Sequence, residues 1–330
     1  MPVAVITGPS GQDGSYLSEL LLEKGYTVYG LLRRHSVQES QTVRIEHLRG
    51  HPSFNLRYGD VTDAVSVNSL FHEAKPDLVF HLAAQSHVQV SFEMPAYTSS
   101  TNCLGILNVL EAVRMFCPNA KVLNASTSEM FGNNCDNDGF QRESTPFSPV
   151  SPYGCSKLYA HHLCRNYRAA YGIFVASSIC FNHGSPRRGI NFVEAKVVKT
   201  AVEMAIGKAD RLVLGNLDSK RDFGHAKDYV RAMLLMLEQP SPRDYVIATG
   251  RTVSINHLVS YVFSRLGLDT ERVEVSDRYK RPEELWMLKG DSEAIRQATG
   301  WSPSYTFESL IEEMLLHWAS VYGHSDILRA

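Results

Sequence analysis

The 330-residue chain lacks the marks of a secreted or membrane protein. It has six cysteines with no Cys-x-x-Cys pair, which indicates free thiols in a reducing compartment rather than a disulfide framework. No apolar run approaches the ~20 residues of a membrane-spanning helix. The first residues enter a strand-like run without the charged stretch and cleavage site of a signal peptide. These absences predict a cytoplasmic protein without a membrane partner.

An excess of one charge is also lacking. Lys and Arg number 33 and Asp and Glu 35, which gives a formal net charge of −2, and neither sign is concentrated in a block. Nucleic-acid-binding domains usually carry a basic patch or stripe. We therefore expect no nucleic-acid partner, and we expect no metal site.

Strand-like and helix-like segments alternate through the first half of the chain. Val3 to Ile6 is a short apolar run typical of a buried parallel strand, and Ser15 to Lys24 has apolar residues at helical spacing. Further strand-like segments lie at 27–32, 55–58, 78–82, 121–124 and 174–179, and a long helix is predicted at 156–171. This alternation predicts an α/β fold, a doubly wound parallel Rossmann sheet with right-handed crossovers.

The regular alternation fades after Phe181. Loops rich in Gly, Pro, Arg and Asn, at 182–191 and 215–224, then alternate with helical segments at 192–206 and 228–237. We therefore predict a Rossmann domain over residues 1–180. Residues 181–330 are predicted to form mainly a smaller, partly discontinuous substrate lobe, with some segments returning to the main sheet.

A glycine-rich turn, Thr7-Gly8-Pro9-Ser10-Gly11-Gln12-Asp13-Gly14, joins the first strand to the first helix. One glycine permits the turn, one lets the backbone approach a pyrophosphate, and one lets the helix pack on the strand. A turn without a ligand could have the same spacing, but the strand–turn–helix setting favours a dinucleotide site. The candidate cofactor-binding residues of the turn are Gly8, Gly11, Gln12, Asp13 and Gly14.

The end of the second strand distinguishes NAD from NADP. A carboxylate there binds the ribose 2′-hydroxyl of NAD, whereas arginine accommodates the 2′-phosphate of NADP. Here Arg33 and Arg34 follow the strand with no carboxylate up to Ser36. A solvated arginine pair is the alternative, but the position favours NADP. Arg33, Arg34 and Ser36 are candidate cofactor ligands, and Asp60 and Val61, after the third strand, are expected at the adenine.

A tyrosine and a lysine with helical spacing supply the first candidate reactive groups. Tyr153 and Lys157 are four residues apart, which places them on one face of a helix. A lysine ammonium close to a phenol lowers the phenol pKa, so Tyr153 would accept a hydroxyl proton near neutral pH. The spacing alone often arises by chance, but behind a nucleotide-binding turn it indicates a catalytic pair.

The fifth strand is followed by hydroxyl groups and a carboxylate. Thr127 is expected to hydrogen-bond the substrate hydroxyl that Tyr153 deprotonates. Glu129 is expected at the carboxyl end of the strand, where ligands bind in such sheets. A carboxylate there offers acid/base chemistry that simple hydride transfer does not need. The alternative is that Glu129 is a solvated turn residue.

The sequence resembles the extended short-chain dehydrogenase/reductase superfamily and, within it, the GDP-mannose 4,6-dehydratases. The resemblance covers nearly the whole chain, and long runs carry it rather than single motifs. Those runs begin at Gly11, Arg33, Arg44, Tyr58, Ala84, Ser126, Ser151, Phe181, Ser185, Gly215, Arg221 and Val246.

The resemblance implies conversion of GDP-mannose to GDP-4-keto-6-deoxymannose and water through tightly bound NADP. Tyr153 would take the proton from O4 as hydride leaves C4, and Glu129 would remove the C5 proton as water leaves C6, after which the hydride returns to C6. Thr127 would polarise O4, and Lys157 would hold the ribose. The family pattern adds as cofactor-binding residues Leu82, Ala84, Gln85, Ser86, Tyr97, His183 and Arg188. As substrate-binding residues it implies Ser86, Thr127, Ser128, Glu129, Asn182, Asn191, Val193, Lys196, Arg221, Arg281 and Glu284.

Some positions depart from the family pattern. Gly184 stands where the family usually has Glu, and Glu194-Ala195 stands where it has Thr-Arg; the segments 35–40 and 274–279 also differ. We expect Gly184 and Ala195 to face the substrate, so the exact sugar and nucleotide stay open, and a related GDP-sugar such as a GDP-manno-heptose is an alternative. Relatives often assemble through the loop after the second strand, so the resemblance implies a homo-oligomer, a dimer or a tetramer.

Two other classes of function are compatible with the same fold. A nucleotide-sugar epimerase or 4-keto reductase needs Tyr153 and Lys157 but no acid at position 129, so dehydration depends on Glu129. A non-catalytic NADP-sensing protein is the remaining alternative, and such proteins often lack the tyrosine or the lysine.

Overall fold

The computed structural model describes residues 1–34, 41–279 and 281–328. Its strands are Val3–Thr7 (β1), Thr27–Leu32 (β2), Phe54–Tyr58 (β3), Leu78–His81 (β4), Lys121–Thr127 (β5), Val175–Cys180 (β6), His183–Gly184 (β7), Leu212–Leu214 (β8), Lys220–Asp222 (β9), Gly224–His225 (β10), Tyr245–Ile247 (β11), Thr252–Ser254 (β12), Val273–Val275 (β13) and Met287–Leu288 (β14). Its α-helices are Gln12–Glu23 (α1), Ala64–Ala74 (α2), Val88–Glu93 (α3), Pro95–Ser99 (α4), Gly105–Phe116 (α5), Pro152–Tyr171 (α6), Val193–Ala205 (α7), Ala226–Glu238 (α8), Ile255–Leu266 (α9), Glu293–Thr299 (α10) and Phe307–Val321 (α11).

The central sheet is parallel throughout. In the part of the chain that the structure describes, it has seven strands in the order β11-β6-β5-β4-β1-β2-β3. The strand order reverses between β1 and β4, and ligands of such sheets bind in the crevice at the carboxyl ends of the strands at this point. The α/β class and the doubly wound parallel sheet predicted from the sequence are confirmed.

Apolar side chains cover both faces of this sheet. Successive residues of a strand point to opposite faces, and Ala4 and Ile6 pack in one cluster with Tyr229 of α8, while Val5 packs on the other side with Phe71 of α2. A strand buried on both faces is mostly apolar at successive positions, which explains the run from Val3 to Ile6; Thr7, at the carboxyl end of β1, is buried but hydrogen-bonded to His81.

The second half of the chain forms a separate apolar cluster and also adds elements to the main sheet and its helices. Apolar residues of α7, α9 and α11 form a separate cluster beside β8, and β9 pairs with β12 and β14 in a small sheet. However, α8 packs on α1, and β11 pairs with β6 at the edge of the main sheet. The division into two domains at residue 180 stays a prediction.

The elements around the candidate reactive groups are longer than the sequence pattern indicates. β5 continues beyond Asn124 to Thr127 because its hydroxyl-bearing end keeps pairing with β6, up to Thr127 opposite Cys180. α6 begins at Pro152 rather than Ser156, since the Ser151 side chain accepts a hydrogen bond from the Gly154 amide and caps the helix. Within the described ranges, no helix is long and apolar enough to cross a membrane.

Candidate active site

A cleft of about 1100 Å³ opens at the carboxyl ends of β1, β4, β5 and β6. It is lined by residues from segments 8–14, 82–93, 125–129, 180–200, 214–221 and 278–284, together with Arg44, Tyr153, Lys157 and Ile255. All eleven predicted substrate-binding residues belong to this lining. Of the predicted cofactor-binding residues, it includes Gly8, Gly11, Gln12, Asp13, Gly14, Leu82, Ala84, Ser86, Tyr153, Lys157, His183 and Arg188.

The glycine-rich turn is shaped by close backbone packing. Gly8 has a φ of +77°, which favours glycine. A Cβ at Gly14 would lie 2.2 Å from the Gly8 carbonyl oxygen, so only glycine fits there. A Cβ at Gly11 would meet nothing closer than the same oxygen, at 3.4 Å. The turn therefore leaves the amino terminus of α1 open toward the cleft at Gly11, where a pyrophosphate is expected.

Side chains of the turn bind the segment after β6 rather than standing alone. Asp13 accepts a hydrogen bond from Nε2 of His183 at 2.9 Å, and Gln12 accepts one from the Ser185 hydroxyl at 2.8 Å. Burial raises the pKa of Asp13, but the charge and hydrogen bond of His183 outweigh it, so the pKa is lowered. His183 also stacks on the ring of Tyr229. These contacts join the two halves of the chain across the cleft.

The predicted adenine and 2′-phosphate region lies beside the cleft rather than in its lining. The Arg33 guanidinium donates to the Tyr97 hydroxyl, and that of Arg34 lies 5.6 Å from the ring centre of Tyr58. The Asp60 carboxylate accepts hydrogen bonds from the amide and hydroxyl of Thr62. Outside the cleft lining are Arg33, Arg34, Asp60, Val61, Gln85 and Tyr97. Ser36 and the segment 35–40 lie outside the described residues.

Gln85, predicted to bind cofactor, uses its side chain within the protein. Its Oε1 accepts from the His87 amide, and its Nε2 donates to the Thr98 hydroxyl. The side chain therefore fixes the loop that follows β4, whose neighbours Leu82, Ala84 and Ser86 line the cleft.

Thr127, Tyr153 and Lys157 come together where β5 meets α6. All three line the cleft and are largely buried. The Thr127 hydroxyl accepts a hydrogen bond from the Glu129 amide, and a hydrogen bond links Thr127 to the Tyr153 side chain. Nζ of Lys157 donates to the Ala125 carbonyl at 2.8 Å, which ties α6 to β5.

The protonation of the tyrosine and lysine differs from the expectation. Burial raises the pKa of Tyr153, and the hydrogen bond from Thr127 opposes it only partly. Lys157 is not among the main groups that shift the pKa of Tyr153; its ammonium donates to the Ala125 carbonyl, and burial lowers its own pKa from 10.5 to about 8. In this arrangement desolvation dominates both groups.

Two carboxylate–guanidinium pairs lie in the cleft beside the reactive groups. Arg281 donates from Nη1 to Oε1 of Glu129 at 3.2 Å, and Nη2 of Arg221 lies 3.7 Å from Oε1 of Glu284. Burial lowers the pKa of Arg221 to about 10, and the charge of Arg281 acts in the same direction. Glu129 is itself buried, which excludes the solvated turn residue considered above.

The remaining predicted substrate residues line the same space. Oδ1 of Asn182 is buried and has no hydrogen-bond partner among the described residues, so it is an acceptor available to a ligand. The Lys196 ammonium lies 3.7 Å from the ring centre of Tyr279, and the Asn191 carbonyl contacts the His87 ring. Ser128 and Val193 complete the set.

The expectation that Gly184 and Ala195 face the substrate is wrong. Neither belongs to the cleft lining. Ala195 is fully buried in the apolar cluster of α7, α9 and α11, and Gly184 packs against Glu194 and Met314. Both positions lie behind the residues that line the cleft.

The sequence reasoning missed two groups that shape the site. Arg44 lines the cleft and donates to the Arg187 carbonyl at 2.7 Å and to the Ser10 carbonyl of the glycine-rich turn at 3.4 Å. Asn102, buried in a helix, bonds to the backbone of Gln85 and to the Ser156 hydroxyl on α6. Asn102 directly follows the hydroxyl-bearing run from Thr98 to Thr101, so no local pattern singled it out.

Comparison with known proteins identifies the family. The family model for GDP-mannose 4,6 dehydratase matches residues 5–314. Human GDP-mannose 4,6 dehydratase is 42% identical over 95% of this chain and 90% of the human protein. Two solved structures share the fold. UDP-glucose 4-epimerase of Thermus thermophilus in complex with NAD is 26% identical, covers 96% of this chain and 98% of its own, and has a TM-score of 0.83. RMD of Pseudomonas aeruginosa complexed with NADPH is 25% identical, covers 97% of this chain and 100% of its own, and has a TM-score of 0.79. The chain belongs to the GDP-mannose 4,6-dehydratase family of enzymes.

Proposed function

We propose that the chain converts GDP-mannose to GDP-4-keto-6-deoxymannose and water, with NADP as its cofactor. The observation that carries the proposal is the position of Glu129, a buried carboxylate in the same cleft as Thr127 and Tyr153. An epimerase or 4-keto reductase has no use for an acid at this place, whereas elimination of water needs a base for the C5 proton.

The residues of the cleft fit a nicotinamide dinucleotide. The open turn at Gly11, ahead of a twelve-residue helix, suits the pyrophosphate. Arg33 and Arg34, with no carboxylate at the end of β2, favour the 2′-phosphate of NADP. When bound, NADP would provide the hydride acceptor for oxidation at C4 and the hydride donor for reduction at C6.

The chain's own residues would handle the protons. Tyr153, in its phenolate form, takes the proton of the C4 hydroxyl, and Thr127 hydrogen-bonds the same oxygen. Because burial raises the pKa of this phenol, only the ionised fraction of Tyr153 is active, and the rate of C4 oxidation is expected to rise with pH. Once C4 is a ketone, the C5 proton is acidic; Glu129 removes it and then donates a proton to the C6 hydroxyl, which leaves as water. When the hydride adds to C6, the proton taken earlier by Tyr153 is available to reprotonate C5. Burial of all three side chains keeps bulk water from the reacting carbons.

The nucleotide end of the substrate requires cations and hydrogen-bond acceptors. Arg281 pairs with Glu129, the charge of Glu129 acts on Arg221, and guanidinium groups pair with phosphate through two hydrogen bonds. The unsatisfied Oδ1 of Asn182 is an acceptor for a hydroxyl or amino group of the ligand. By resemblance, we further propose a cytoplasmic homo-oligomer, a dimer or a tetramer.

The product mass tests the proposal. Protein incubated with GDP-mannose and NADP is expected to give a product lighter by one water. An isobaric product would make the chain an epimerase, and an unchanged substrate would favour the NADP-sensing alternative. Tyr153→Phe should abolish turnover in an enzyme, whereas a sensor with this substitution should keep its NADP binding.

A further inference from the structure

Arg188 is held in the side of the cleft by two neighbours. Its Nε donates to Oε1 of Glu194 at 2.8 Å, and its guanidinium carbon lies 3.6 Å from the ring centre of Phe192. The side chain of Glu194 is 1% exposed and that of Arg188 15%. One edge and one face of the guanidinium group are therefore fixed.

The rest of the guanidinium group remains available to a ligand. Arg188 lines the cleft, and no acceptor among residues 1–34, 41–279 and 281–328 is hydrogen-bonded to its Nη1 or Nη2. Two parallel N–H donors of this kind match the oxygens of a phosphate group. The charge also reaches the reactive groups: burial raises the pKa of Tyr153, and Arg188 is among the groups that oppose it.

Glu194 reaches this place from the first turn of α7. It is a nearly fully buried member of the cleft lining, and the amino terminus of a thirteen-residue helix stabilises a negative charge there. A buried carboxylate without a partner is strongly unfavourable. The pair with Arg188 thus explains why an acid is tolerated at this position.

Gly184 leaves the space that Glu194 occupies. A Cβ on Gly184 would lie 3.2 Å from Cγ of Glu194, 3.4 Å from its Oε1 and 3.6 Å from Sδ of Met314. The φ of Gly184 is not in the left-handed region, so the backbone itself does not require glycine. A side chain at position 184 would therefore compete with the Glu194 side chain for the same space. Both positions depart from the family pattern, which has Glu where this chain has Gly184 and Thr where it has Glu194.

We propose that Glu194 is a positioning residue that holds Arg188 with its terminal donors toward a phosphate of the bound nucleotide, and that Gly184 is the matching vacancy for its side chain. In this chain the carboxylate comes from α7, whereas a glutamate at 184 would supply it from β7. The proposal rests on the proposed function for the identity of the ligands, which carry phosphate both in the dinucleotide and in the GDP-sugar.

Binding measurements on Glu194→Gln distinguish the two phosphate sources. The change removes the charge while keeping the size, so Arg188 loses its fixed orientation. We expect affinity to weaken about tenfold, equivalent to about 1.4 kcal/mol. Loss of affinity for NADP in a direct titration places Arg188 on the dinucleotide, and a raised KM for GDP-mannose with unchanged kcat places it on the sugar nucleotide. Glu312→Gln is the matched control, since Glu312 pairs with Arg265 away from the cleft.

Exchanging the two positions separates positioning from general stabilisation. Gly184→Glu alone is expected to lower the melting temperature, because two carboxylates would crowd the space beside Met314. Glu194→Thr alone should weaken ligand binding like Glu194→Gln. The double variant Gly184→Glu/Glu194→Thr, which returns one carboxylate to the same space, should regain most of the lost affinity.

Two results would overturn the inference. One is Glu194→Gln with a lower melting temperature but unchanged affinity for both NADP and GDP-mannose, which would make the pair merely structural. The other is a loss of ligand affinity on Glu194→Gln that is just as large in a protein already carrying Arg188→Ala, since Glu194 would then not act through Arg188. The NADP titration needs no turnover, so a wild-type protein that fails to dehydrate GDP-mannose would refute the proposed function without deciding this one.

Discussion

Arg281 donates a hydrogen bond to the carboxylate of Glu129, so the proposed base for C5 is paired with a cation proposed to bind the substrate. Arg221 lies close enough for Glu129 to raise its pKa against the stronger lowering by burial. We expect the diphosphate of the proposed substrate to compete with Glu129 for the Arg281 guanidinium. On this proposal, binding of the nucleotide and release of the base are linked through one side chain.

Glu129→Gln is expected to lower kcat for dehydration by about 10²–10⁴-fold, the usual contribution of a general base. KM should fall, because the neutral amide competes less strongly than the carboxylate with the diphosphate for Arg281. The rate of formation of the product lighter by one water is the measurement, with the melting temperature as a check on folding. A variant that dehydrates at the full rate would show that another group is the base.

Arg281→Gln is expected to raise KM for GDP-mannose by about tenfold, since a charge-assisted pair with the diphosphate is lost. The affinity for NADP should be unaffected if Arg281 serves the sugar nucleotide alone. Arg265→Gln removes an arginine that is paired with Glu312 away from the cleft and serves as the control. Equal losses in both variants would refute a specific role for Arg281.

Lys157→Met should change how stability depends on pH. The pKa of Lys157 is depressed from 10.5 to about 8 by burial, so the unfolded chain binds more protons than the native one between these values. Below pH 8 the wild type therefore bears the full free-energy cost of burying a charged Lys157. This cost disappears as the pH rises to 10.5. Relative to Lys157→Met, the wild type should gain about 3 kcal/mol across this window.

Urea unfolding of both proteins below pH 8 and above pH 10.5 measures this difference. A constant gap between wild type and Lys157→Met would show that the lysine is not desolvated in the native protein. Catalytic turnover should be lost in the variant at every pH.

Two glycines of the turn should respond in opposite ways to alanine. Gly14→Ala places Cβ 2.2 Å from the Gly8 carbonyl, so we expect a loss of about 1–3 kcal/mol in stability without any ligand. Gly11→Ala has room within the protein and should keep the melting temperature, while its methyl group obstructs the cofactor and weakens NADP binding. Thermal unfolding and an NADP titration of both variants check this; loss of stability in Gly11→Ala would contradict it.

Arg34→Ala should reduce the preference for NADP over NAD, by about tenfold in the ratio of their dissociation constants. Binding of NAD itself should be nearly unchanged, because NAD lacks the 2′-phosphate. Arg57→Ala, on the neighbouring strand β3 and paired with Glu73, is the control that should leave the ratio alone. An unaltered ratio in Arg34→Ala would exclude this arginine from cofactor discrimination.

Local patterns in the sequence were sufficient for six of the seven strands that the described residues place in the main sheet; the edge strand β11 was not predicted. The strands β1 and β4 are apolar at successive positions because both faces are covered, and such runs are recognisable without a structure. The turn at Gly8 to Gly14 is equally local. By contrast, β7 and β10 have two residues each, and their pairing depends on chain segments far apart in sequence, so no periodicity could reveal them.

The electrostatic partners in the site were beyond sequence reasoning for a related reason. Asp13 with His183, and Glu129 with Arg281, are pairs whose members lie more than a hundred residues apart. Side-chain burial also reversed an expected sign, since the pKa of Tyr153 is raised where the spacing with Lys157 suggested a lower value. Desolvation depends on the whole fold, and a motif of five residues contains no information about it.

The return of α8 and β11 to the main sheet has a consequence for synthesis of the chain. Ala4, Ile6 and Leu17 share their cluster with Tyr229 and other residues of α8, and β11 covers the edge of β6. A nascent chain that has emerged only to residue 180 therefore exposes one apolar face and one strand edge to solvent. We expect this half to depend on chaperones until residue 247 has left the ribosome, and to aggregate when it is expressed alone.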